Sequence, residues 1–157
     1  MNSSNRFLLA ISICLLVGCS ALATSNSHGL FQGVFTGTAI GYRDTSAPLT
    51  INLTQDNNTV TGIAAVGDGL KVDTGGFVCP GLVKVPSGTI DVAGDVSSQD
   101  PQHLEAKSGL SASGLTITAE VIAELSQDSS TMDAELKLNI PWPCRNTTIK
   151  ATLMRSS

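Results

Sequence analysis

The sequence predicts an all-β domain, an antiparallel meander of about eight strands that closes into a barrel. Three observations predict it. Apolar residues recur at every second position in segment after segment, the segments are separated by short polar turns, and no helix intervenes between them. A two-sheet β-sandwich is the alternative. Closure is the preferred reading because several strands of about ten residues carry a single core face, and closing the sheet removes their exposed edges.

The elements follow in order. A first strand is expected at 31–41. In Leu49-Thr-Ile-Asn-Leu-Thr54 the residues Leu49, Ile51 and Leu53 share one face and Thr50, Asn52 and Thr54 the other. Gln55 to Asn58 supply turn chemistry, and Val60, Ala64 and Val66 resume the alternation, so 49–66 reads as a hairpin. The glycine-rich, acidic stretch Gly67 to Gly76 reads as a turn region. It lacks the residue order and distal glutamate of a calcium loop, which leaves Asp68 and Asp73 as turn residues.

Further strands are expected at 81–86, 88–97 and 102–110. Asp91 and Asp95 fall on a polar face, as does His103 with Glu105 and Lys107. Across 115–125 Leu115, Ile117, Ala119, Val121, Ala123 and Leu125 alternate with polar residues, Ile122 excepted. Ile117, Val121 and Leu125 are also spaced by four, so Ala119–Leu125 could alternatively form a turn or two of helix. Near the C-terminus Met132, Ala134, Leu136, Leu138 and Ile140 alternate with Asp133, Glu135, Lys137 and Asn139, a pattern no helix gathers on one face. A last strand is expected at 146–154.

The N-terminus has a different plan. Arg6 precedes the apolar run Phe7 to Gly18, with no acidic residue before it, which is the organisation of a secretory signal peptide over 1–18. A run of about twelve is shorter than the roughly 20 residues a membrane span needs. The run ends in Leu16-Val17-Gly18-Cys19, which resembles the lipobox of bacterial lipoproteins. The resemblance implies that Cys19 becomes a diacylated N-terminus, that residues 19–29 form a tether, and that a single domain of 30–157 stands beside a membrane. At roughly 0.8 kcal/mol per buried methylene, two or three acyl chains hold a protein where one does not. Ser20 after the cysteine implies, by the same resemblance, the outer membrane facing the periplasm. The alternative is ordinary cleavage after Ala21-Leu22-Ala23, which yields a secreted or periplasmic soluble protein.

With Cys14 in the leader and Cys19 lipid-modified, Cys79 and Cys144 remain as a pair in an oxidising compartment, and a disulfide between them is expected. Trp142, between Pro141 and Pro143 and two residues from Cys144, is expected to pack over that disulfide or to plug one end of the barrel. The opening Phe31-Gln-Gly33-Val-Phe35 is weakly similar to the first strand of lipocalins and other calycin barrels, with Phe35 where their tryptophan stands. The likeness implies a barrel and carries over no binding residue.

Composition narrows the function. Without Arg6, eight basic residues face thirteen acidic ones, which argues against nucleic-acid binding. Five aromatic residues outside the leader are too few for a stacking platform. His28 and His103 are both expected in solvated positions. No nucleophile elbow, zincin motif, paired carboxylates, metal-ligand spacing or cofactor motif is present. The expected role is therefore non-enzymatic binding by an envelope lipoprotein, either of a small apolar ligand inside the barrel, with Ala64, Gly94, Ala106, Ala119 and Ala134 leaving room, or of an envelope protein as an accessory subunit, for which Ile122 and Met154 are candidate contacts. An unrecognised hydrolase is the remaining alternative.

Overall fold

The computed structural model describes residues 29–75, 78–79, 81–112 and 115–157. The expected signal peptide, the expected tether through His28, and with them Cys19, lie outside the described residues. Strands β1 (Gly33–Ile40), β2 (Ser46–Asp56), β3 (Thr59–Val66), β4 (Lys71–Asp73), β5 (Leu82–Lys84), β6 (Gly88–Val96), β7 (His103–Ala112), β8 (Leu115–Leu125), β9 (Thr131–Asn139) and β10 (Thr147–Arg155) follow one another along the chain. Eight of them form a closed antiparallel barrel in the order β1-β10-β9-β8-β7-β6-β3-β2. The barrel, not the sandwich, is the architecture, and residues 119–125 are strand rather than helix.

The alternation in the sequence produces the wall. Along β2 Ala47, Leu49, Ile51 and Leu53 are buried while Ser46, Pro48, Thr50, Asn52 and Thr54 are exposed, and in β10 Ile149, Ala151 and Leu153 point inward. Pairing Phe35 with Ile51 and Ala39 with Ala47 puts the inward sets of β1 and β2 on one side, and a one-residue slip would turn both to solvent. Glycines permit tight coiling. A Cβ on Gly62 would lie 2.8 Å from Leu53 Cδ2 and 2.1 Å from the Asn52 carbonyl oxygen, so the leucine occupies the space a side chain there would need. Every barrel strand finds both partners between Gly33 and Arg155, so the eight strands close on one another.

Two expectations are corrected. The strand expected at 81–86 is not part of the wall. Leu82–Lys84 pairs only with Lys71–Asp73, in the region read as a turn, and the two form a small separate sheet. Gly81, at φ +64, and Pro86 bracket a segment too short to cross a wall whose strands run eight to eleven residues. β3 therefore pairs directly with β6, from Thr59 opposite Asp95 to Val66 opposite Gly88.

Candidate functional site

The two ends of the barrel are built differently. At one end lie the β2–β3, β6–β7 and β8–β9 turns and the chain entry at Gly29. Phe31, Phe35, Val60 and Leu153 are fully buried there, with Leu53, Leu104 and Met132 nearly so. Arg155 covers them from outside. Its guanidinium stands 4.5 Å from the centre of the Phe35 ring, its Nε donates to the Ser129 carbonyl at 2.8 Å, and its other nitrogens donate to the carbonyls of Leu30 and Gln32. The aromatic face and the three carbonyls receive the charge where little water can.

At the other end, the mouth, the segment made of residues 67–75 and 81–87 leaves the wall and folds over the opening. Leu70 and Val72 are buried beneath it. Its attachments are specific: the Thr45 hydroxyl oxygen accepts the Lys71 N–H at 3.1 Å, and the Arg145 N–H donates to the Thr74 carbonyl at 3.2 Å. The Cys79–Cys144 disulfide ties this segment to the β9–β10 loop, with Cα atoms 5.5 Å apart, as the cysteine count predicts.

Between floor and roof lies a cavity of about 100 Å³. Leu53, Leu104 and Met132 form its floor and Leu70 and Val85 its roof, while Ala39, Ala64, Ala119, Ala134 and Ala151 contribute walls of one carbon each. Among the described residues Ser108 is the one polar side chain in the lining. Its hydroxyl donates to the Asp91 carbonyl at 2.8 Å, so it offers the cavity no unsatisfied donor. That bond has a second role. β7 pairs with β8 over ten residues but with β6 only from Ala93–Lys107 to Val96–Leu104. Ser108 therefore staples β6 to β7 just beyond the point where their ladder ends. A cavity of this chemistry stays dry, since a water needs two to four polar partners.

The remaining candidate residues are dispersed. Trp142 neither covers the disulfide nor plugs an end: it is 92% exposed. Leu70, Val72 and Val85 already fill the space beneath the mouth, and the prolines and disulfide beside Trp142 hold its loop at the rim. His103 is half-buried on the outer wall, 3.5 Å from a Glu105 oxygen and 3.6 Å from one of Glu124. Asp68 pairs with Lys84 at 3.1 Å, and Asp73 accepts the Gly75 N–H at 2.8 Å, a local turn bond. Among the described residues no cluster of His, Cys, Asp and Glu has the geometry of a metal site. Ile122 and Met154 both face outward but are not neighbours, since β9 opposes them with Glu135 and Thr131 respectively. Ser108 and Arg155 were not legible as functional or structural keystones. A serine on an inward face is the one signal that singles out Ser108.

No protein-family model matches the chain, and no curated protein matches it. Among solved structures the chain is similar to a redesigned β-barrel, with 12% identity, 82% of this chain and 93% of that chain covered, and a TM-score of 0.52. At that identity the likeness concerns the fold.

Proposed function

We propose that the protein is a binding module rather than an enzyme, and that its barrel takes a slender apolar guest, the end of a single acyl chain or a molecule of similar width. The observation that carries this reading is the dry cavity of about 100 Å³ lined by small aliphatic side chains. Engineered apolar cavities of ~150 Å³ stay empty of water and accept benzene, so the interior sets a narrow cross-section on its guest. A void of this size forgoes about 2.4 kcal/mol at roughly 24 cal/mol per Å³, and a guest that fills it regains that contribution.

The protein's place in the cell belongs to the same proposal. Leu16-Val17-Gly18-Cys19 supports export and lipid attachment at Cys19, with the barrel beside a membrane. The outward residues of the barrel are compatible with a watery setting: Asp133, Glu135 and Lys137 line the outer face of β9, the reverse of a barrel that spans a bilayer. Acyl labelling of a Cys19→Ala chain tests the anchor, and undiminished labelling refutes it.

Native mass spectrometry of residues 20–157, purified from a bacterial periplasm and then incubated with fatty acids of graded length, tests the cavity. A one-to-one adduct that disappears on denaturation is expected. A bare monomer throughout the series would overturn the reading.

A further inference from the structure

The mouth carries exposed apolar side chains that the cavity does not explain. Val78 is 70% exposed, Leu82 51% and Trp142 92%. The disulfide draws Val78 and Trp142 together, since Val78 adjoins Cys79 and Trp142 lies two residues from Cys144. Other exposed apolar residues, such as Ile63 and Met154, stand singly on the wall among polar neighbours. The charges divide the same way. Around the mouth Arg43, Lys71, Lys84 and Arg145 face Asp44, Asp68 and Asp73, and the Lys84–Asp68 pair neutralises itself. At the opposite end, among the described residues, Asp56, Asp95, Asp100 and Asp128 face Arg155 alone, and Arg155 is engaged with Phe35 and backbone carbonyls. The molecule is thus an electrical dipole whose apolar rim lies at its more positive end.

We infer that this rim docks on the surface of an anionic phospholipid bilayer, with Trp142 seated at headgroup depth. Tryptophan favours that depth because its ring is apolar and its N–H needs a polar partner. The surface potential of anionic lipid attracts Arg145 and Lys71 and repels the acidic end, so that the mouth turns toward the bilayer. This deepens the acyl-guest reading and rests on it for its purpose, because a rim on lipid brings the cavity beside the chains it would take. The contact itself can hold or fail independently of the cavity.

Trp142 is the chain's single tryptophan and reports on its own environment. Residues 20–157, which leave out the proposed lipid-bearing Cys19 and contain all eight barrel strands, are titrated with vesicles of phosphatidylcholine containing one-third phosphatidylglycerol, and with phosphatidylcholine alone. The expected result is a blue shift of Trp142 emission and its quenching by brominated acyl chains on the anionic vesicles, weakened by added salt. A Val78→Ser, Trp142→Ser double variant, checked for an intact disulfide and unchanged circular dichroism, should lose at least fivefold in vesicle co-sedimentation. A Lys107→Gln variant on the wall should lose nothing.

Unshifted emission on anionic vesicles, or equal sedimentation of parent and double variant, would overturn the inference. So would sedimentation equilibrium showing a dimer that the double variant lacks, since the rim's occupant is then a second copy of the chain. Fatty-acid adducts measured without vesicles report on the cavity alone. Adducts without vesicle binding refute the docking and keep the acyl-guest reading, and vesicle binding without adducts does the reverse.

Discussion

The closed end and the mouth are made from the same eight strands, yet they solve opposite problems. At the closed end large side chains fill the lumen: Phe31, Phe35, Met132 and Leu153 leave no exposed surface to speak of, and Arg155 seals them. Toward the mouth the inward positions shrink to Ala39, Ala64, Ala134 and Ala151, and Val66, Ile90 and Leu136 remain partly exposed. Stability is concentrated where the lumen is full, and capacity where it is not. A barrel that takes a guest, as proposed, can divide holding together and holding something else along its axis.

Truncation of matched large residues tests that division most strongly. Phe35→Ala should cost about 3–5 kcal/mol in chemical denaturation, because a fully enclosed ring leaves a cavity that its rigid surroundings cannot collapse. Leu49→Ala, on the adjacent strand toward the mouth, should cost about 2 kcal/mol, since it enlarges a space that already exists. Equal losses at the two sites would end the comparison.

The disulfide comes next. Cys79→Ser with Cys144→Ser removes a cross-link between residues 65 apart and should cost about 2–4 kcal/mol. The loss should be accompanied by faster hydrogen exchange at Thr74 and Val85, whose N–H groups bond within the mouth segment, to Gly81 and Leu70. Exchange at the closed-end amide of Arg155, bonded to Ser130, should lag behind. Uniform acceleration across the barrel would mean that the mouth is no separate unit. On the other side Arg155→Met keeps the bulk over Phe35 but removes donors to three carbonyls, for an expected loss of about 1–3 kcal/mol.

These features differ in how visible they are in the sequence. The wall is legible because a period of two states which side each residue takes, and the disulfide because only two cysteines remain once the expected leader and the expected lipid-bearing Cys19 are set aside. The mouth is not legible in that way. Val83 and Val85 alternate as a barrel strand would, and only the distance between Gly81 and Pro86 shows that they cannot cross the wall. Trp142 misleads because a lone tryptophan beside a cysteine suggests core, while its position depends on a roof made by Leu70 and Val72, some seventy residues earlier. Periodicity names an inward face without saying how wide the space behind it is, so the cavity itself follows only from closure. Arg155 is silent for a similar reason, as Leu30 and Gln32 lie more than 120 residues away in sequence.

Filling the cavity separates capacity from stability directly. Ala134→Leu places three more carbons where the lining is a bare methyl. Thermal or chemical unfolding should change by less than about 1.5 kcal/mol in either direction, whereas fatty-acid adducts should fall at least tenfold. A variant that fails to fold would show that the interior is already full.

The smallest expected effect lies in a closed-end turn and has a definite sign. The Asp128 carboxylate is held at a pKa of about 2, chiefly by the Ser126 hydroxyl, which donates to it at 2.6 Å, and then by the Ser130 amide and hydroxyl at 3.1 and 2.8 Å. Because the folded value lies below that of the unfolded chain, the ionised form is the one folding favours. Its contribution is present in full above the ordinary carboxylate range, near pH 4, and is lost as pH falls from there through 2. Asp128→Asn should therefore be slightly less stable than the parent at pH 6, with the gap narrowing as pH falls through 2. The group is fully exposed, so the gap should shrink in 1 M salt, where the mouth's Lys84–Asp68 pair is screened as well. A gap that stays at its pH 6 size down to pH 2 would mean that the substituted amide alters the turn itself, since protonation of Asp128 is by then well advanced.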